Sequence, residues 1–183
     1  MIGRKDKQIK IVKSQRVPTI VTFLEMLHRP SALPPPQPKG KVAFLKAESP
    51  PLHFYRYLYD AVGRDYKWVD RKKLGDAAVT EILRDPKVEL FALYVDGCPA
   101  GMAELDFRLE GIGQLAYFGL IQEFVGRRLG YFFLYHATMV AWSRPIQKFI
   151  VNTCTLDHPR ALPLYQRMGF VPYAREDRFI EMP

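Results

Sequence analysis

Two short stretches of this sequence hold residue types that can act on a substrate. DHPRALPLYQRMGF, residues 157–170, follows the strand-like run IVNTC and places Tyr165 shortly before Gly169. A phenol with a pKa of roughly 10 can handle a proton at a group that lies within hydrogen-bond reach. Plain packing of an amphipathic Tyr is the competing reading. The second stretch, EFVGRRLGYFFL, sets Arg127 and Arg128 between Gly126 and Gly130 at the start of a helix. Free N–H groups and the positive dipole end of a helix favour a phosphate there. Glycine lets the backbone come close, and arginines add bidentate donors. A tight helix entry with solvated arginines would use the same residues.

These groups need elements to position them. VPTIVTFLEML (17–27) and KVAFLKAE (41–48) read as strands, hairpinned with each other across the proline-rich HRPSALPPPQPKG (28–40). Residues 51–63 and 69–86 have helical spacing, with Gly75 as a break and Pro86 as a stop. Two strand-like runs flank DGCPAG, which makes a hairpin, and GQLAYFGLI (113–121) is a further strand. In the next segment Leu129, Phe132, Phe133, Ala137 and Val140 recur at helical spacing. KFIVNTCTL (148–156) is a strand, and the Tyr165 segment is a helix with Asp157 as N-cap and Gly169 as C-cap. Pro163 requires that helix to kink or to start near Arg160. One or two strands end the chain. The order implies an α/β fold, a mixed sheet with helices on both faces.

The order of strand, Gly-bracketed turn, helix, strand and a helix bearing L-Y-x-x-x-G-F resembles the GNAT superfamily of acetyl-CoA-dependent N-acetyltransferases. HPRALPLYQRMGF matches the family's last motif at Ala161, Leu164, Tyr165, Gly169 and Phe170, with His158 where Asn is usual. The phosphate motif fits at Gly126 and Gly130, while Arg128 replaces its central Gly and Val125 its first Gln or Arg. The resemblance covers about residues 41–175. It implies a mixed, mostly antiparallel sheet splayed between the fourth and fifth core strands. It also implies a division into 1–40, a basic tail with an extra strand and a Pro-rich connection, and 41–183, the acetyltransferase domain.

The resemblance further implies acetyl-CoA as cofactor and direct transfer of the acetyl group to a primary amine in a ternary complex. Leu120 and Ile121 would lie near the thioester. Val125, Gly126, Arg127, Arg128, Leu129, Gly130 and Tyr131 would receive the phosphates. His158 and Ala161 would line the cofactor, and Tyr165 would be the acid. For a base, AELDF places Glu104 and Asp106 on one sheet face, and Glu104 is the first choice because the resemblance implies that the acceptor amine lies over that strand. Glu123 and His158 are the other candidates. A non-catalytic acyl-CoA-binding module with a degenerate phosphate loop is the alternative.

Composition bounds these readings. A chain of 183 residues that is 48% hydrophobic and 25% charged fits one soluble domain. No apolar run suits a membrane span, and MIGRKDKQIK has no apolar core of a secretory signal, so the cytoplasm is expected. Cys98 and Cys154 are too few for a disulfide framework or a structural zinc site. Of the net charge of +8, five units come from Arg4, Lys5, Lys7, Lys10, Lys13 and Arg16 against Asp6. The body is therefore only mildly basic, and no nucleic-acid partner is expected. The resemblance implies a small-molecule or peptide amine as acceptor. Relatives of this kind are commonly homodimers.

Overall fold

The computed structural model describes residues 16–182. The basic tail lies outside them, except for Arg16. The elements in chain order are β1 (Arg16–Met26), β2 (Val42–Lys46), α1 (Leu52–Gly63), α2 (Asp70–Lys73), α3 (Asp76–Arg84), β3 (Val88–Val95), β4 (Cys98–Asp106), β5 (Ile112–Leu120), α4 (Leu129–Ala141), β6 (Lys148–Cys154), α5 (Ala161–Met168) and β7 (Val171–Glu181). Seven strands form one sheet in the order β2-β3-β4-β5-β6-β1-β7. Among the described residues only β5 and β6 pair in parallel; every other neighbouring pair is antiparallel.

The hairpin expected between the first two strands does not form. β1 pairs with β6 and β7, and β2 pairs with β3 on the opposite side of the sheet. The proline-rich segment makes this possible, because an extended, non-helical chain can cross from one end of the sheet to the other. It passes α4 on the way, where Tyr135 Oη donates to the Ala32 carbonyl at 3.5 Å. The β3–β4 connection is tighter than the DGCPAG signal implied. Val95 pairs with Cys98, and Asp96 and Gly97 both take positive φ, 51° and 86°, so the turn has two residues.

Helices cover both faces. Leu105, Leu115, Phe133, Phe149 and Tyr165 belong to the core under α4 and α5, whereas Tyr55, Leu58, Val79, Leu90 and Met102 form the core under α1 and α3. Along β5 the alternation of side chains divides these cores. Phe118 and Leu120 pack toward α4, and Tyr117 packs toward α1. Gly119 lets α1 come close on that second face: a Cβ there would stand 2.4 Å from Val62 Cγ1.

The β5–β6 ladder is short. It runs from Ile112↔Lys148 to Leu115↔Val151 and stops. Residues 116–120 and 152–154 continue as strands without pairing to each other. The cause is visible on the other side of β5. Glu104 pairs with Tyr117 and Leu105 with Leu115, so Ala116 is a bulge residue without a partner on β4. A bulge bends its strand and increases the local twist. Here it falls where β5 must leave β6, and it opens the expected splay.

Candidate active site

A cleft of about 1840 Å³ runs through this split. That exceeds the roughly 300–1,000 Å³ of a typical small-ligand pocket, so there is room for two substrates. Its walls come from both faces of the sheet: Val125 through Phe132 at the start of α4, residues 114–120 of β5, Asn152 and Cys154 of β6, and residues 66–71 beyond α1.

The turn before α4 has the features of an anion site. Gly126 has φ 87°, and Arg128, the residue before the helix, has φ 62° and ψ 19°. This left-handed conformation at Arg128 explains why glycine suits the position. No side chain caps α4, and no acidic residue sits in its first turn. The first-turn N–H groups are therefore left for an outside acceptor, beside the positive end of the dipole. Arg127 and Arg128 are exposed at the same turn, with Arg127 lying 4.9 Å from the Phe124 ring centre.

Tyr165 lies on α5, which starts at Ala161 with Arg160 before it. Pro163 falls in the first turn, where its missing N–H costs nothing, so no kink is needed. Gly169 ends the helix at φ 110°. Asp157 does not cap this helix, contrary to expectation. Its carboxylate instead accepts from Cys154 N and Thr153 Oγ1, both at 2.8 Å, and pins the end of β6. Tyr165 is 5% exposed, lines the cleft and makes no side-chain hydrogen bond among the described residues. Burial, and then the nearby Asp157 carboxylate, push its phenol well above the ordinary tyrosine value.

Of the residues singled out in the sequence, Leu120, Val125, Gly126, Arg127, Arg128, Leu129, Gly130, Tyr131, His158, Ala161 and Tyr165 meet at the cleft. Ile121 does not. It is buried, and its N–H is taken by the Ala100 carbonyl at 2.9 Å, so it has no donor for a ligand. Because Ile121 bonds toward β4, strand alternation turns the backbone of Leu120 the other way, toward the split.

Glu104 also lies off the cleft, and the base role expected of it needs correction. Its side chain is 0% exposed; it accepts from Tyr55 Oη and Arg71 Nη2, each at 2.6 Å. A carboxylate so engaged cannot reach an amine in the cleft. Of the other candidates Asp106 and His158 do line the cleft, but each is already engaged. Burial alone would raise the Asp106 carboxyl, but hydrogen bonds from Arg108 override it and hold it below its ordinary value. Glu123 is exposed and does not line the cleft. His158 Nδ1 accepts from Arg160 N at 3.1 Å, so a neutral ring carries its proton on Nε2 and presents a donor.

Sequence reasoning missed the residues that wall the other end of the cleft, among them Trp68, Asp70, Arg71 and Tyr117. Arg71 lies in the polar run VDRKKLGD, where spacing gives no reason to prefer it over its basic neighbours. Tyr59, Trp68 and Tyr117 pack together with ring centres 5.0–5.4 Å apart. Among the described residues no group of His, Cys, Asp and Glu could hold a metal ion, and no helix is long and apolar enough to cross a membrane.

Residues 55–170 match the acetyltransferase (GNAT) family. No curated protein matches the chain. Among solved structures, a GCN5-related N-acetyltransferase from Sphaerobacter thermophilus superimposes with a TM-score of 0.65 at 16% identity, over 91% of this chain and 54% of that one. A second, from Kribbella flavida, gives 0.61 at 16% identity, over 88% and 58%. The aminoglycoside acetyltransferase meta-AAC0020 from an uncultured soil sample gives 0.57 at 9% identity, over 70% and 87%. At such identities the likeness is one of fold. This chain spans little more than half the length of the first two.

Proposed function

Since the chain belongs to the acetyltransferase (GNAT) family, we propose that it moves an acetyl group from acetyl-CoA to a primary amine by direct attack in a ternary complex. One observation carries the reading: β5 and β6 part after Leu115 and Val151, and Tyr165 lines the cleft that this opens.

The residues present suit such a cofactor. The uncapped first turn of α4 and the exposed Arg127 and Arg128 hold its pyrophosphate. The unpaired edge at residues 116–120 offers backbone groups to the amides of its arm, as an added strand would receive them. When bound, acetyl-CoA supplies a thioester open to attack by an amine. The Leu120 N–H, turned into the split, polarises a carbonyl placed beside it. Tyr165 keeps its proton until a departing thiolate needs one. With Glu104 held by Arg71, no side chain is assigned as base, and the amine attacks in its neutral form.

Binding without turnover is the second reading, and Glu104's engagement favours it. Calorimetry with acetyl-CoA and a thiol-release assay over a panel of amines separate the two. Transfer predicts binding and amine-dependent release of thiol. Binding with no release for any amine supports the second reading, and no binding at all sinks both.

A further inference from the structure

The end of the cleft away from α4 has a chemistry of its own. Arg71 stands there with its side chain 13% exposed and its position fixed from several sides. Its N–H donates to Tyr59 Oη at 3.2 Å, its carbonyl accepts from Arg56 Nη1, and Nε and Nη2 bond to Tyr55 and Glu104. Nη1 has no partner among the described residues. The guanidinium carbon lies over the Tyr117 ring, 5.0 Å from its centre, and that aromatic wall continues into Trp68. A planar donor held in place and only partly used suits a carboxylate.

The acids of the cleft argue the same way from the other side. Among the described residues its lining holds ten arginines and lysines against five carboxylates. Four of the five are engaged: Asp96 by Lys41 N, Asp106 by Arg108, Asp157 by Thr153 and Cys154, and Glu181 near Arg16. Asp70 alone has no hydrogen bond or ion pair among the described residues. A polycation entering this cleft would meet one available carboxylate and an excess of like charge, and like charges side by side disfavour binding.

We propose that the acceptor is an amine that also carries a carboxylate, of the amino-acid class, with its carboxylate on Arg71 and its body against Trp68 and Tyr117. This rests on the transfer reading above. It sets the specificity apart from that of enzymes acting on polycationic sugars.

The test compares phenylalanine, leucine and glutamate, each beside its α-carboxamide, together with spermidine. Calorimetry in the presence of CoA reads acceptor binding, and thiol release from acetyl-CoA reads turnover per deprotonated amine. At least one free acid is expected to bind and react about tenfold or more better than its amide, with spermidine the poorest. In the variant R71Q/E104Q, which removes both charges together, the acid-to-amide ratio is expected to fall toward one, with urea unfolding as the check that the chain folds. Amides or spermidine binding as well as the acids would overturn the proposal. So would an acid-to-amide ratio unchanged in that variant. A binding preference for the acids without thiol release would leave the acceptor class standing and sink the transfer reading instead.

Discussion

Arg71 Nη2 donates to Glu104 Oε1 at 2.6 Å, and the carboxylate it meets has no solvent exposure. The pair joins the short helix α2 to the middle of strand β4. Tyr55 Oη completes it from α1. Burial alone would lower the Arg71 pKa, but Glu104 and Tyr55 override it and hold the guanidinium above its ordinary value. The charge is therefore fixed at all working pH.

Breaking this pair from one side leaves a buried charge alone. Glu104→Gln is expected to cost about 3 kcal/mol or more, because Arg71 keeps its charge and loses its counter-ion. The double variant Arg71→Met/Glu104→Gln is expected to cost less than the single one, since neither charge remains. Urea unfolding of the two variants reads this directly. Equal losses would mean that the tyrosine contacts, not the ion pair, hold α2 in place.

Tyr165→Phe tests the proposed acid. It removes one oxygen that makes no hydrogen bond among the described residues, so the fold and the affinity for acetyl-CoA are expected to stay as they are. Turnover is expected to fall about 10²-fold or more. Stopped-flow thiol release, with cofactor binding measured on the same sample, is the readout. Turnover equal to that of the unaltered protein would return Tyr165 to a packing role.

Much of this site was legible in the chain, and the rest was not for definite reasons. The Tyr165 helix and the turn from Val125 to Tyr131 are local: capping, glycine placement and helical spacing all act within a few residues. The splay was implied by the resemblance, and its cause, the bulge at Ala116, leaves no mark in GQLAYFGLI. The place of β1 was misjudged because its pattern fixes a strand but not a partner. A proline-rich connection permits a hairpin and a crossing equally. Glu104 is the first choice because its strand should underlie the acceptor, and it faces the same side of the sheet as Tyr117, which lines the cleft. What removed it from the cleft was Arg71, distant by 33 positions and reachable only once α1 and α2 are folded over β4.

Alkaline pH should unfold this protein earlier than its charge alone would. Tyr55, Tyr59, Tyr117 and Tyr165 are all pushed above the ordinary value of 10.0, in each case chiefly by burial. A group whose pKa is raised in the folded state contributes stability below its unfolded value and loses it as pH rises beyond. Stability is therefore expected to be insensitive to these groups up to about pH 9.5 and to fall steeply above about pH 10. Chemical unfolding across that range measures the slope, and Tyr165→Phe, with one titrating group fewer, should make it shallower. A slope unchanged in that variant would mean the phenol ionises in the fold as freely as in the open chain.

Arg128 offers the sharpest separation between a residue that crowds a ligand and one that holds it. Its φ of 62° is a conformation that costs an L-residue about 1 kcal/mol and glycine almost nothing. Arg128→Gly relieves that strain but gives the unfolded chain more freedom, worth about 0.4–1 kcal/mol in the opposite direction. The two effects nearly cancel, so the urea midpoint should hardly move. Acetyl-CoA affinity is the informative measurement. If the guanidinium pairs with a phosphate, the variant binds about tenfold more weakly and its affinity depends less on salt. Tighter binding by the glycine variant, with the same salt dependence, would show instead that the side chain stands in the way of the cofactor and that the backbone N–H groups of α4 carry the recognition alone.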